Sequence, residues 1–335
     1  MTHELKAIFK QFEKAQSAGL KSVLASVVAL EGSSYRRPGV RMLLLENGQM
    51  VGAVSGGCVE KEIKRQAVSV FQSGMPKVMV YDGRYRLGCE GILSILIEPF
   101  APKKVEVKSF WQHIENRLPI GFKSYFLPDA SENPNYGSVI AIGSQQIRLN
   151  PEQESKNLAC FEQTMNPCFR LYVIGAEHDA VQLGHHASLM GWEVFVVAHP
   201  TESKTKDAFP GIQEMLHQEP EQLDIALDEN TAVVVMTHSF AKDLGHILSL
   251  SKLPLGAYIG LLGPSKRREK LFDALLERHP EVSEDFIDTI YGPAGLDIGA
   301  ETPQEITISI LSEILSVVRK KEPIGLRNKL GKIHT

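Results

Sequence analysis

Apolar residues recur along this chain in two rhythms, and the change between them divides it. Leu5, Ile8, Phe9, Phe12 and Ala15 fall three and four apart, the spacing of one helix face, and Gly19 closes that helix. The β-branched, apolar run 22–30 predicts a buried strand. Residues 41–46 and 49–54 predict two short strands about Asn47-Gly48, the strongest two-residue hairpin signal. A helix over 58–72 places Val59, Ile63, Ala67 and Val70 on one face. Runs 77–81 and 92–97 read as further strands, and 103–117 as a helix. From 121 to 150 short apolar runs alternate with turn residues, which predicts a hairpin extension. The polar run 150–156 predicts a linker.

Strand and helix alternate from Arg170 onward. Strands are expected at 171–175, 193–198, 232–237 and 258–262, with helices reaching to 190, to 250 and over 265–277. The last helix, 303–319, carries Ile306, Ile310, Ile314 and Val317 on one face and Pro303 in its first turn. This alternation predicts a parallel, doubly wound sheet. The fold class expected is therefore α/β. An N-terminal α/β domain with a mixed sheet spans 1–150, its hairpin extension at about 118–150. A C-terminal Rossmann-like domain with a doubly wound parallel sheet spans 166–322.

Composition adds limits. A length of 335 residues suits two domains, and 43% hydrophobic and 23% charged residues are those of a globular protein. The net charge is −4 and basic residues form no block, which argues against nucleic acid. No apolar run reaches the ~20 residues of a membrane span, and the N-terminus lacks a signal-peptide pattern; a cytoplasmic protein is expected. Four cysteines without a C-x-x-C pair are neither a disulfide framework nor a structural zinc site.

Candidate chemistry centres on Val54-Ser55-Gly56-Gly57-Cys58-Val59-Glu60, where a strand ends, two glycines turn and a cysteine opens a helix. A thiol at the positive end of a helix is favoured as thiolate, the form that binds metals and attacks electrophiles. The glycines let backbone N–H groups converge on an anion. Most free cysteines are instead small buried packing residues, so both readings of Cys58 stand at this stage. Cys89, in Leu87-Gly88-Cys89-Glu90-Gly91, is a second glycine-flanked thiol.

In the second half, Gly175-Ala176-Glu177-His178 occupies the place of a dinucleotide fingerprint. Its second glycine is replaced by Glu177, and His199 stands near where a ribose-binding acid belongs. A Rossmann-like fold without NAD(P) is expected. His238, ending a predicted strand, is a candidate ligand or proton-transfer group. The cations of Ser265-Lys266-Arg267-Arg268 at a helix start call for an oxyanion or acidic partner.

These stretches together resemble the xanthine dehydrogenase accessory protein family of the XdhC/CoxI type. The resemblance is carried by residues 32–42, Ser55-Gly56-Gly57-Cys58-Val59-Glu60, Leu87-Gly88-Cys89, Ile174-Gly175-Ala176 with His178, Thr237-His238, residues 258–263, and Gly295-Leu296-Asp297-Ile298-Gly299-Ala300 with Thr302-Pro303. It departs from the family at Glu177, His199 and Glu90. It implies a molybdenum-cofactor chaperone that binds molybdopterin transiently, presents it to a cysteine desulfurase for sulfuration and hands it to a xanthine dehydrogenase-type enzyme. The implied site comprises Ser55, Gly56, Gly57, Cys58, Glu60, Cys89, Arg36, Arg41, His238 and Asp297, with Cys58 a molybdenum ligand. Arg36, Arg37 or Arg41 would hold phosphate and oxo anions by forked hydrogen bonds, and Glu60 would orient the loop. A homodimer is expected. Two rivals remain: an NAD(P)-linked oxidoreductase or xanthine dehydrogenase subunit using the Rossmann-like domain, and a scaffold that only docks the client enzyme.

Overall fold

The computed structural model describes residues 1–32, 37–55, 57–84, 91–150 and 157–329. Tertiary contacts divide the chain into two units, Met1–Pro167 and Cys168–Thr335.

The first unit runs α1 (Thr2–Ser17), β1 (Ser22–Glu31), β2 (Arg41–Leu45), β3 (Met50–Gly52), α2 (Cys58–Ser73), β4 (Lys77–Asp82), β5 (Ile92–Pro99), α3 (Lys104–Glu115), β6 (Ile120–Phe126), β7 (Ser131–Glu132), β8 (Gly137–Ile142), β9 (Gln145–Arg148) and β10 (Ala159–Met165). Six strands form one sheet in the order β3-β2-β1-β5-β4-β7, and four form another, β10-β6-β8-β9. Side chains alternate across β1. Val23, Ala25 and Val27 join Met42 and Leu44 of β2 beneath α2, packing on Val59, Ile63, Ala67 and Val70. Leu24, with Leu43 and Leu45, faces the opposite way, onto α1, α3 and the second sheet.

Three expectations change here. Where a mixed sheet is predicted, every pairing among the described strands of this unit is antiparallel. The helical crossover α2 joins β3 at one edge to β4 near the other, so it lays no two strands side by side. The region about 118–150 is not a hairpin on the first sheet: β6, β8 and β9 build a sheet of their own, and only β7 pairs with β4. That sheet is completed by β10, which bonds β6 from Ala159–Phe126 to Met165–Ile120. The unit thus continues past the polar run 150–156, of which 151–156 lie outside the described residues. The Asn47-Gly48 hairpin is also longer than two residues. Gly48 donates to the Leu45 carbonyl at 2.8 Å and alone takes a positive φ, of 86°, in the turn.

The second unit runs β11 (Arg170–Ile174), α4 (His178–Leu189), β12 (Glu193–Ala198), β13 (Glu214–His217), β14 (Thr231–Val235), α5 (Phe240–Leu250), β15 (Tyr258–Leu261), α6 (Ser265–Arg278), α7 (Glu284–Asp288), β16 (Ile290–Tyr291) and α8 (Pro303–Arg319). All strands are parallel in the order β13-β12-β11-β14-β15-β16. Numbered within the unit this is 3-2-1-4-5-6, the dinucleotide-fold order. Leu171 and Val173 face α4 and α8; Tyr172 and Ile174 face α5, α6 and α7. Thr302 and Glu305 cap α8 reciprocally, the Thr302 hydroxyl accepting from the Glu305 N–H at 3.3 Å and Glu305 accepting from the Thr302 N–H at 2.9 Å. Among the described residues no helix is long and apolar enough to cross a membrane.

Candidate functional site

The turn before α2 is built around one carboxylate. Gly57 is the N-cap residue at φ 123°, a conformation that strains any side chain, and Cys58 is the first helical residue. Three residues into the helix, Glu60 turns back. Its Oε1 accepts from the Val54 N–H at 3.0 Å and the Ser55 N–H at 2.5 Å. Its Oε2 accepts from the Ser55 hydroxyl at 2.8 Å and the Gly57 N–H at 2.7 Å. Burial of Glu60 pushes its pKa up, but the Ser55 backbone and hydroxyl bonds and the Gly57 N–H together outweigh it and hold the carboxyl below its ordinary value. Through these four bonds Glu60 holds the loop. Of the Gly56-Gly57 backbone expected to hold a ligand anion, the Gly57 N–H is taken by this carboxylate, together with those of Val54 and Ser55. Cys58 is exposed, so of the two readings open for it the structure removes buried packing.

Arg41 does not join Cys58. It lies on the face of the first sheet opposite α2, buried, with its guanidinium 3.6 Å over the Phe122 ring. Nη1 donates to the Gly39 carbonyl at 2.8 Å and to Gln163 Oε1 at 3.0 Å. Burial lowers its pKa to about 10, against the opposing pull of Glu98. Odd-numbered residues of β2 point to this face, and strand alternation decides the matter. Arg36, Gly56 and Cys89 lie outside the described residues. Among the described residues no group of three or more His, Cys, Asp and Glu is placed to hold a metal ion. Among the described residues Cys58 presents an exposed thiol at the α2 start, and a thiolate is a soft ligand of the kind that suits a thiophilic metal.

The second unit presents its candidate residues at the carboxyl edge of the parallel sheet. Gly175 follows β11 at φ 132°, where a Cβ would stand 2.5 Å from the Met236 carbonyl oxygen; β14 passes too close for any side chain. After β14, His238 takes a positive φ of 57°. Its Nε2 lies 3.2 Å from Asp179 Oδ2, in the first turn of α4. Thr237 is pinned by Asp243, which accepts its N–H at 3.1 Å and its hydroxyl at 2.6 Å. Asp243, 1% exposed, is paired at 2.6 Å with Arg267, so the acidic partner expected for the cations of 265–268 is Asp243. Asp297 is exposed in the loop before α8. That loop is held by Glu313, whose Oε2 accepts from the Gly295 N–H at 2.9 Å and the Tyr258 hydroxyl at 2.5 Å.

Around the fingerprint position, Lys204 donates to the Ala176 carbonyl at 2.7 Å and lies 3.8 Å from Glu177. His199 contacts Glu219 at 3.1 Å, so the carboxylate missing from the end of β12 arrives from beyond β13. Asp179, Lys204 and Glu219 are residues that sequence reasoning passed over. Asp179 had a local signal, an acid two residues into the helix after a glycine turn. Lys204 and Glu219 lie in irregular segments and had none.

Two family models match the chain: the XdhC and CoxI family over residues 15–82, and the XdhC Rossmann domain over 171–314. A Bacillus subtilis protein, by name a probable subunit of xanthine dehydrogenase, is 29% identical, over 90% of this chain and 94% of its own. The Escherichia coli molybdenum cofactor insertion chaperone PaoD is 23% identical, over 95% and 90%. A crystal structure of a xanthine dehydrogenase from Bacillus halodurans superposes with a TM-score of 0.77 at 26% identity, covering 94% of this chain and 96% of that one.

Proposed function

This chain belongs to the XdhC and CoxI family, and from that premise we propose that it is a molybdenum-cofactor-binding chaperone for a xanthine dehydrogenase-type enzyme. The observation that carries the reading is Cys58: an exposed thiol on the first residue of α2, on a turn organised by Glu60. A turn held by four hydrogen bonds presents the thiol with little ordering left to do on binding. Cys58 would ligate the metal, and Ser55 lies in the same turn. When bound, the cofactor supplies a molybdenum centre on a pterin dithiolene, which the client enzyme uses. The likeness to PaoD supports insertion as the step served. Sulfuration by a cysteine desulfurase partner, a homodimeric state and a cytoplasmic setting belong to the same proposal.

The test is co-expression with the cofactor-synthesis machinery, followed by metal analysis and pterin fluorescence of the purified protein. Wild type is expected to retain molybdenum and pterin in equal amounts, and Cys58→Ser to lose both while keeping its circular dichroism spectrum. Equal retention by Cys58→Ser refutes the reading.

The 3-2-1-4-5-6 sheet order and the name of the Bacillus subtilis relative favour a second reading, an oxidoreductase component with a nucleotide in the second unit. It requires NADH or NADPH to bind. Asp179 occupies the positive end of α4, where a pyrophosphate belongs, and Glu177 stands where the backbone must approach it. Calorimetric titration showing low-micromolar NADH binding would favour this reading.

A further inference from the structure

The crevice outside the carboxyl ends of β11 and β14 is where the strand order of the second unit reverses, the usual ligand position in such sheets. We infer that it is a ligand site, and that it takes an uncharged N–H-donating heterocycle of the oxopurine or pterin type through His238.

Four observations converge on His238. It is a non-glycine residue held at φ 57°, and strained conformations of this kind collect at functional positions. The strain is maintained from behind. Asp243 fixes Thr237 by two hydrogen bonds and is itself paired with Arg267, which ties the loop to α5 and α6. The ring is oriented from a different element, with Nε2 3.2 Å from Asp179 of α4. The side chain is nevertheless 50% exposed. In a neutral ring, the carboxylate beside Nε2 favours the proton on that nitrogen, which leaves Nδ1 the lone pair and makes it an acceptor.

The rim decides the ligand class. Glu177 and Asp179 are acceptors only. The nearby ammonium of Lys204 is committed to the Ala176 carbonyl and to Glu177. A phosphate would meet two carboxylates at a helix start already neutralised by Asp179. A neutral heterocycle bearing ring N–H or amino groups offers the complementary donors, and one side-chain acceptor of fixed direction suits a planar partner. The choice of a pterin among such heterocycles rests on the chaperone reading; the acceptor character of the crevice does not.

The experiment is calorimetric titration of the full chain with pterin, with xanthine and with NADH, beside histidine-selective nitrogen NMR. Wild type is expected to bind pterin or xanthine, the tighter of the two identifying the source, with a shift of the His238 Nδ1 resonance. His238→Asn keeps a residue tolerant of positive φ and is expected to bind at least about tenfold more weakly, one lost hydrogen bond. Asp179 is a positioning residue: Asp179→Asn is expected to weaken binding and to change the His238 tautomer populations, a change that a merely structural role would not produce. Binding of neither heterocycle, unchanged binding by His238→Asn, or preference for NADH overturns the inference. Loss of heterocycle binding with Cys58-dependent molybdenum retention intact removes this inference alone. The reverse removes the chaperone reading alone.

Discussion

Glu98 is a carboxyl group with 0% exposure between the two sheets of the first unit, and replacing it by glutamine yields a quantitative prediction. Burial raises its pKa from 4.5 to about 7, opposed by hydrogen bonds from the Ser138 hydroxyl and N–H and by Arg41. The Ser138 N–H and hydroxyl donate to it at 2.8 Å and 2.5 Å, and Ser124 lies 2.8 Å from the Ser138 hydroxyl. Below pH 4.5 the group is protonated both folded and unfolded, and its favourable contribution is fully present. Between 4.5 and 7 the unfolded chain releases its proton while the folded chain keeps it, so stability falls as pH rises. Above 7 both forms are ionised and the loss is complete, at about 3 kcal/mol. In Glu98→Gln this dependence is absent. The amide oxygen still accepts the Ser138 N–H, and the amide N–H₂ faces a hydroxyl that is free to donate to Ser124 instead. The variant should therefore gain on wild type by up to about 3 kcal/mol between pH 4 and pH 8. Urea unfolding followed by Trp111 fluorescence, in a Trp192→Phe background so that only the first unit reports, measures the difference. A difference that is flat over this range would show that Glu98 ionises like an ordinary carboxyl and would refute the account.

Three further outcomes are expected. Glu60→Ala leaves the N–H groups of Val54, Ser55 and Gly57 without their acceptor and should cost the first unit about 2–3 kcal/mol. Because the folded pKa of Glu60 is depressed, its ionic contribution is present above the ordinary carboxylate range and lost as pH falls through the folded pKa; denaturation should show a larger penalty at pH 7 than in acid. Gly175→Ala forces a Cβ to 2.5 Å from the Met236 oxygen at φ 132° and should destabilise the second unit by about 2–4 kcal/mol, read by Trp192 fluorescence. Asp243→Ala strips Arg267 of its partner and should cost about 3 kcal/mol, with broadening of the His238 resonance as its loop loosens; a sharp, unshifted resonance would refute the support assigned to Asp243.

What could be read from residues alone was what periodicity encodes. Val59, Ile63, Ala67 and Val70 are spaced for one helix face and lie on it, and Pro303 marked the first turn of α8 because a proline there is local chemistry. Strand β10 was missed because an edge strand with one partner carries little apolar signal: Cys160, Glu162 and Thr164 all point to solvent. The antiparallel order was missed because pairing is non-local. Arg41 was misplaced for the same reason. Its proximity in sequence to the cationic loop is real, but a one-residue step along β2 turns its side chain to the other face of the sheet. The partners of His238 and His199 come from 59 and 20 residues away, distances over which no motif runs.

The four hydrogen bonds on Glu60 have a consequence for how firmly Cys58 can hold anything. A cradle already filled by the chain's own anion has no grip to lend a guest's. A cargo docked at the thiol gains nothing from the Val54, Ser55 and Gly57 N–H groups unless it first evicts a carboxylate. Under the proposed function, the attachment at this turn would rest on the sulfur–metal bond of Cys58, and release on exchange of that ligand. Such a mooring suits a protein whose task ends when the cargo leaves.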